Sequence, residues 1–212
     1  MSLRLGGSAA ILGGVLFPTG FVATSIDGCI ARDDGDFTPL LTEGDSFTAL
    51  VEEYPETLPA QARGALGVDA ANRRFDTVLM GAATYRVPGG LPSPYPHLRQ
   101  YGVSRSIDSP PDDVTVVSGD LVSRVRALKA EEGLDIWLCG GSALAGQLLP
   151  EIDRLFLKVS PVVLGQGLPL FATEVRGIRF TRTSVRPFSN GVTFLQYDRT
   201  RGAQRSPEPP PS

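Results

Sequence analysis

The chain has 212 residues, 42% hydrophobic and 20% charged, with 24 glycines, 18 prolines and a formal charge of -3 at neutral pH. That length supports one well-buried core and is short for two independent domains, and the small net negative charge leaves no electrostatic footprint for nucleic acid or an anionic membrane. The two cysteines, Cys29 and Cys139, each lie in an apolar run, which excludes a disulfide framework and fits buried thiols in a reducing cytoplasm.

Residues 1–17 read as a flexible leader. The run AAILGGVLF follows a lone Arg4 and has the apolar character of a signal peptide, but no small-residue cleavage site precedes the next strand and the run is too short to span a bilayer. The first core strand is expected at 20–25. It runs into ATSIDGCIA, where Asp27-Gly28 interrupts the apolar pattern. An Asp-Gly pair is commonly just a turn; in a pocket, the carboxylate would orient a substrate amine or relay a proton.

Residues 43–72 hold two helix-like pieces, DSFTALVEEY and PAQARGALGVDAANRR, divided by proline. A strand at 77–80 then ends in GAATYR, which opens a helical turn. The Pro/Gly segment RVPGGLPSPYPHL at 86–98 carries the one histidine, His97; loops of this length more often form lids or pocket walls than idle connections. After QYGV comes Ser104-Arg105-Ser106, a guanidinium between two hydroxyls that suits a phosphate monoester, although alone it reads as a solvated loop arginine.

A strand is expected at 114–117 and a helix at 120–131, capped by Asp120, striped by Leu121, Val122, Val125 and Leu128, and stopped by Gly133. A further strand at 135–139 completes a βαβ unit of a mostly parallel sheet. In IWLCGGSALAGQLL this strand stops on Gly140-Gly141 and turns at once into helix. Unpaired amides and the helix dipole favour an anion there, glycine lets a pyrophosphate approach, and Ser142 adds a hydroxyl. The GxGxxG spacing is absent, so the pair alone reads first as a tight turn.

The next strand spans 154–160. Residues 178–186 and 192–198, joined across Ser189-Asn190-Gly191, read as an antiparallel hairpin. Trp137, Phe156 and Phe171 read as core aromatics, while Gly165 and Gly167 suit either a pocket mouth or a simple turn. Strands 153–160 and 192–198 read as apolar edges that pair across a two-fold axis in a homodimer. Residues 200–212, ending SPEPPPS, read as a disordered tail. No internal repeat is visible. The fold class is α/β: a mixed, mostly parallel sheet flanked by helices, with a C-terminal antiparallel hairpin.

Taken in order, VATSIDGCIA with DGD at 34–36, FDTVLMGAATY, YGVSRS, VVSGDL and DIWLCGGSALAGQLLPEIDRLFLKVSPVVLGQGLPLF resemble the dihydrofolate reductase-like superfamily. The chain is most similar to the C-terminal reductase domain of the bifunctional riboflavin-biosynthesis deaminase-reductase and its stand-alone relatives. The resemblance implies one reductase-like domain over 18–199 that binds NADPH. It implies that Ala23, Gly81, Thr84, Ser104, Arg105, Ser106, Ser118, Gly119, Gly140, Gly141, Ser142 and Leu144 contact this cofactor. It also implies that Asp27 lies on the substrate side as the catalytic or orienting residue, and that hydride reaches the ribosyl carbon of an aminopyrimidine phosphate, as in a 5-amino-6-(5-phosphoribosylamino)uracil reductase. A dihydrofolate reductase, or a nucleotide- or flavin-binding protein without turnover, is the alternative.

Two departures from that pattern matter. Ala82 stands where the relatives have arginine in GRxTY, which removes a charge-assisted contact worth about 1.5–3 kcal/mol. The chain also lacks the HxE and PCxxC motifs of a zinc deaminase, so deamination is not expected and no metal is implied.

Overall fold

A computed structural model describes residues 18–85, 92–104, 107, 109–174 and 177–200. The leader, the tail and the pair Arg105 and Ser106 lie outside the described residues. The elements run β1 (Pro18–Thr24), β2 (Cys29–Arg32), α1 (Asp45–Glu53), α2 (Ala60–Leu66), β3 (Phe75–Gly81), α3 (Ala82–Tyr85), β4 (Arg99–Val103) and β5 (Val114–Val117). They continue with α4 (Leu121–Lys129), β6 (Asp135–Gly140), α5 (Ser142–Leu148), β7 (Arg154–Val159), β8 (Gly167–Pro169), β9 (Phe180–Pro187) and β10 (Thr193–Arg199).

Eight strands form one sheet in the order β5-β4-β3-β6-β1-β7-β10-β9. The first six are parallel, and β10 runs antiparallel between β7 and β9. The mixed, mostly parallel sheet with a C-terminal antiparallel pair is therefore as the sequence implies. Because parallel strands are covered on both faces, their interior reads as near-continuous apolar runs. One face packs Leu79, Ile136 and Leu138 against Val125 and Leu128 of α4 and Leu144 and Leu148 of α5. The other face is aromatic: Phe21 stacks on Phe156 with centroids 4.5 Å apart, and Trp137, Tyr54, Tyr95 and Phe194 surround them.

Local chemistry explains the helix limits. The Asp120 carboxylate accepts the Ser123 amide at 3.0 Å, a side-chain cap on α4 as its sequence suggests. The helical pattern after Pro59 stops early, because Gly67 adopts φ +64 and its N–H closes on the Arg63 and Gly64 carbonyls.

Three features differ from the sequence reading. Strand β4 was hidden because Gln100, Tyr101 and Gly102 break its apolar pattern. Gln100 is nonetheless buried, with its side-chain oxygen accepting from the Tyr95 amide and its NH2 donating to Ser93. The small β2–β8 sheet was also unforeseen, and it decides the role of Gly167: a Cβ there would lie 2.5 Å from the Ala31 carbonyl oxygen. Finally, β7 and β10 are not edges. Each has a neighbour on both sides; the edge strands are β5 and β9, of which β9 is the more exposed. Hairpin strands folded back onto a parallel sheet cover its last apolar strand, which is why 154–160 carries so much apolar surface.

Candidate active site

The carboxyl ends of β5, β4, β3, β6 and β1 lie side by side along one edge of the sheet. Ligands of open α/β sheets bind outside such ends. Neighbouring strands are spaced about 4.8 Å apart, so the four intervals span roughly 19 Å, the reach of an extended dinucleotide.

At the middle of this edge, β3 ends on Gly81 beside the end of β6, where the Gly140-Gly141 peptide is cis. A Cβ on Gly81 would come within 3.3 Å of the Gly141 nitrogen, 3.4 Å of the Gly140 oxygen and 3.6 Å of Leu144 Cβ. Space, not backbone conformation, favours glycine at 81. Gly140 adopts φ +125, and a Cβ on it would meet the Thr84 hydroxyl at 3.5 Å; the same hydroxyl lies 3.7 Å from the Gly141 position. Gly81, Thr84, Gly140, Gly141 and Leu144 are thus brought together, though their order in the chain spans two βα units.

The hydroxyl oxygen of Ser142 is buried without a hydrogen-bond partner among the described residues. A buried hydroxyl in that state costs free energy unless something pairs with it. The closely approached glycine backbone at the ends of β3 and β6, with this hydroxyl beside it, is the polar feature of the carboxyl edge to which a nucleotide phosphate is best suited. On the α5 side Gly140 and Gly141 border a narrow apolar cavity lined by Val22, Ile30, Leu138, Leu170 and Phe171.

The other residues implied by the resemblance lie farther along the edge. Ser104 follows β4, its amide donating to the Val117 carbonyl at 3.2 Å, and Ser118 and Gly119 are exposed just after β5. Ala23 is the penultimate residue of β1.

Asp27 sits in the turn after β1 and is exposed, not enclosed. Its carboxylate accepts the Ser25 hydroxyl at 2.5 Å and the Leu164 and Gly165 amides at 3.1 and 2.7 Å. The Ser25 hydroxyl first, and then those two amides, hold its carboxyl down to about 2. Asp27 is therefore ionised at neutral pH and clips the β1 turn to the loop before β8.

A depressed carboxyl stabilises the fold above its unfolded value of 3.8 and loses that contribution as pH falls toward about 2. Asp27→Asn is expected to lower the melting temperature at pH 7 but to converge on the parent as pH falls through that window. Equal melting temperatures at pH 7 would mean that the clip carries no stability.

Two polar groups that the sequence reading passed over lie on the aromatic face. The Tyr95 hydroxyl lies 3.9 Å from the Cys139 sulfur, and burial holds its ionisation well above the ordinary range, so it stays protonated. Burial pushes the Cys139 thiol up to about 12, which makes it a packing group and not a nucleophile. Lys158, in β7, is 8% exposed. Its only signal in sequence is a charge inside the apolar run LFLKV. Among the described residues no cluster of acidic, histidine and cysteine side chains is arranged to hold a metal, and no helix is long and apolar enough to cross a membrane.

A sheet of this order with its open edge at these glycines defines the dihydrofolate reductase-like fold. The chain superposes on the dihydrofolate reductase of Enterococcus faecalis, solved with NADP(H) and RAB-propyl, with a TM-score of 0.61 and 14% identity over 87% of this chain and 97% of that one. It belongs to the RibD C-terminal domain family, whose model matches residues 19–194.

Within reach of that family is the Bacillus subtilis (strain 168) protein YwjB, itself uncharacterized, which is 32% identical over 177 residues, or 81% of this chain and 92% of YwjB. The fold is also that of the Thermotoga maritima diaminohydroxyphosphoribosylaminopyrimidine deaminase/5-amino-6-(5-phosphoribosylamino)uracil reductase, with a TM-score of 0.58 and 18% identity. That alignment covers 87% of this chain and 57% of the bifunctional protein.

Proposed function

We propose that the protein is an NADPH-dependent reductase of a small heterocyclic substrate, of the 5-amino-6-(5-phosphoribosylamino)uracil reductase type. The observation that carries this reading is the close approach of Gly81, Gly140 and Gly141 at the carboxyl edge beside the buried, unpartnered Ser142 hydroxyl. Family membership supports it, as do the reductase activity in the name of the Thermotoga protein and the NADP(H) bound to the Enterococcus enzyme.

NADPH, when bound, supplies a hydride to an electrophilic carbon. The chain's own contribution is positional. Backbone at Gly81 and Gly140–Gly141 with the Thr84 and Ser142 hydroxyls would hold the cofactor's phosphates, and Ser104, Ser118 and Gly119 would hold the far end of the nucleotide. The segment Ser104-Arg105-Ser106 supplies the guanidinium that Ala82 does not. Ala23 and the aromatic face beside it hold the flat substrate against the cofactor's reactive end and exclude water. Asp27 acts in this scheme as an orienting residue, because a carboxyl held near 2 is a poor proton donor at neutral pH.

Ala82 favours one second reading, a nucleotide- or flavin-binding protein without turnover. A thermal-shift titration with NADPH, NADH and FMN separates the two. NADPH is expected to stabilise the protein selectively, by about 2.7 kcal/mol at a hundredfold excess over Kd. Selective stabilisation by FMN would replace the reductase reading with the flavin one. Absence of any shift would remove both.

A further inference from the structure

The carboxyl ends of β1 and β7 lie next to each other on the aromatic face. Ala23 and Lys158 are register partners there, and Phe194 of β10 flanks Lys158 on its other side. Lys158 is the penultimate residue of its strand, as Ala23 is of β1.

Its ammonium has three donors, yet among the described residues it meets one acceptor, the Leu40 carbonyl at 2.8 Å. That carbonyl also accepts the Ser160 hydroxyl at 3.1 Å, so it is satisfied without a charge. No carboxylate among the described residues pairs with Lys158, and burial alone lowers its proton affinity. Burying an unpaired charge costs the fold more than an apolar side chain of the same length would.

Leu41, next in the chain to the Leu40 whose carbonyl holds the ammonium, is 62% exposed, and the turns that follow β1 and β7 are joined by the Ile26 amide and the Val162 carbonyl and carry exposed Ile26 and Val163. Exposed aliphatics on the turns that follow β1 and β7 put apolar surface at the carboxyl ends of these two strands, where ligands of such sheets bind.

We propose that Lys158 is a specificity-determining residue whose ammonium takes an anionic oxygen of the substrate, a carboxylate or a phosphate. The heterocycle lies on the aromatic face beside Ala23. This rests on the reading of the carboxyl edge as the substrate side of a reductase.

The test uses the full chain, with and without NADPH, and three pyrimidine probes: orotate for a carboxylate, uridine 5'-phosphate for a phosphate, and uridine as the neutral control. Calorimetric titration of the wild type is expected to show at least tenfold tighter binding of one anionic probe than of uridine, and which probe wins names the anion. In Lys158→Met the preference vanishes while the melting temperature equals or exceeds that of the parent. Lys158→Arg retains both fold and preference.

No anionic preference in the wild type, or a preference that survives Lys158→Met, overturns the proposal. So does a Lys158→Met variant that fails to fold while Lys158→Arg binds uridine and the anions alike, which makes the residue a staple for Leu40. The NADPH-induced shift is read separately in wild type and variants. Its absence from the wild type counts against the reductase reading, whereas its presence together with no anionic preference counts against Lys158 alone.

Discussion

Gly146→Ala is expected to destabilise the fold by about 2–3 kcal/mol, although the same exchange in an exposed helix interior stabilises by about 1 kcal/mol. A Cβ at 146 would lie 1.9 Å from the Ala172 carbonyl oxygen and 2.6 Å from its carbon. Neither atom belongs to a side chain that can rotate away. The segment is also tied to the helix, since the Ala172 amide donates to the Ser142 carbonyl at 3.1 Å. Alanine therefore pushes residues 171–173 off α5, and with them Phe171, which lines the cavity beside Gly140 and Gly141. Urea unfolding with an unchanged m-value checks the figure. A variant as stable as the parent would show that this segment yields freely.

Gly81→Val is expected to abolish the stabilisation by NADPH. A Cβ at 81 already stands 3.3 Å from the Gly141 nitrogen, tighter than ordinary contact, and the two further methyl groups of valine fill the space between the ends of β3 and β6. Overpacking of this kind costs about 1–3 kcal/mol, so the variant remains folded in a domain of ordinary stability. Thermal unfolding with and without NADPH reads both effects: a modest fall in the free protein and loss of the ligand-dependent shift. A shift of wild-type size in the variant would place the nucleotide elsewhere.

The central strands and α4 were legible because apolar runs and the Asp120 cap act locally. The glycine edge was legible for another reason: parallel strands bring their carboxyl ends together whatever their order in the chain, so GAATY and CGGS had to approach if both followed parallel strands. What the sequence hid depends on distant partners. Gln100 looks like a surface residue until the Tyr95 amide and Ser93 pair with it. Gly167 looks like a turn until Ala31 lies across it. Asp27 belongs to the expected turn, but its hold on Leu164 and Gly165 joins residues 137 and 138 positions away, which no local pattern encodes. Lys158 was passed over because a single charge in an apolar strand has no periodic signature.

The position of β1 also constrains how the chain is made. Its neighbours in the sheet are β6 and β7, and the Trp137 indole donates to the Phe21 carbonyl across a separation of 116 residues. At the usual pace of translation that interval takes roughly 6–23 s. For much of that time β1, bearing Phe21 and Val22, waits with neither neighbouring strand yet synthesised. The aromatic face then closes late and largely at once, and a truncation before β7 leaves β1 without one flank.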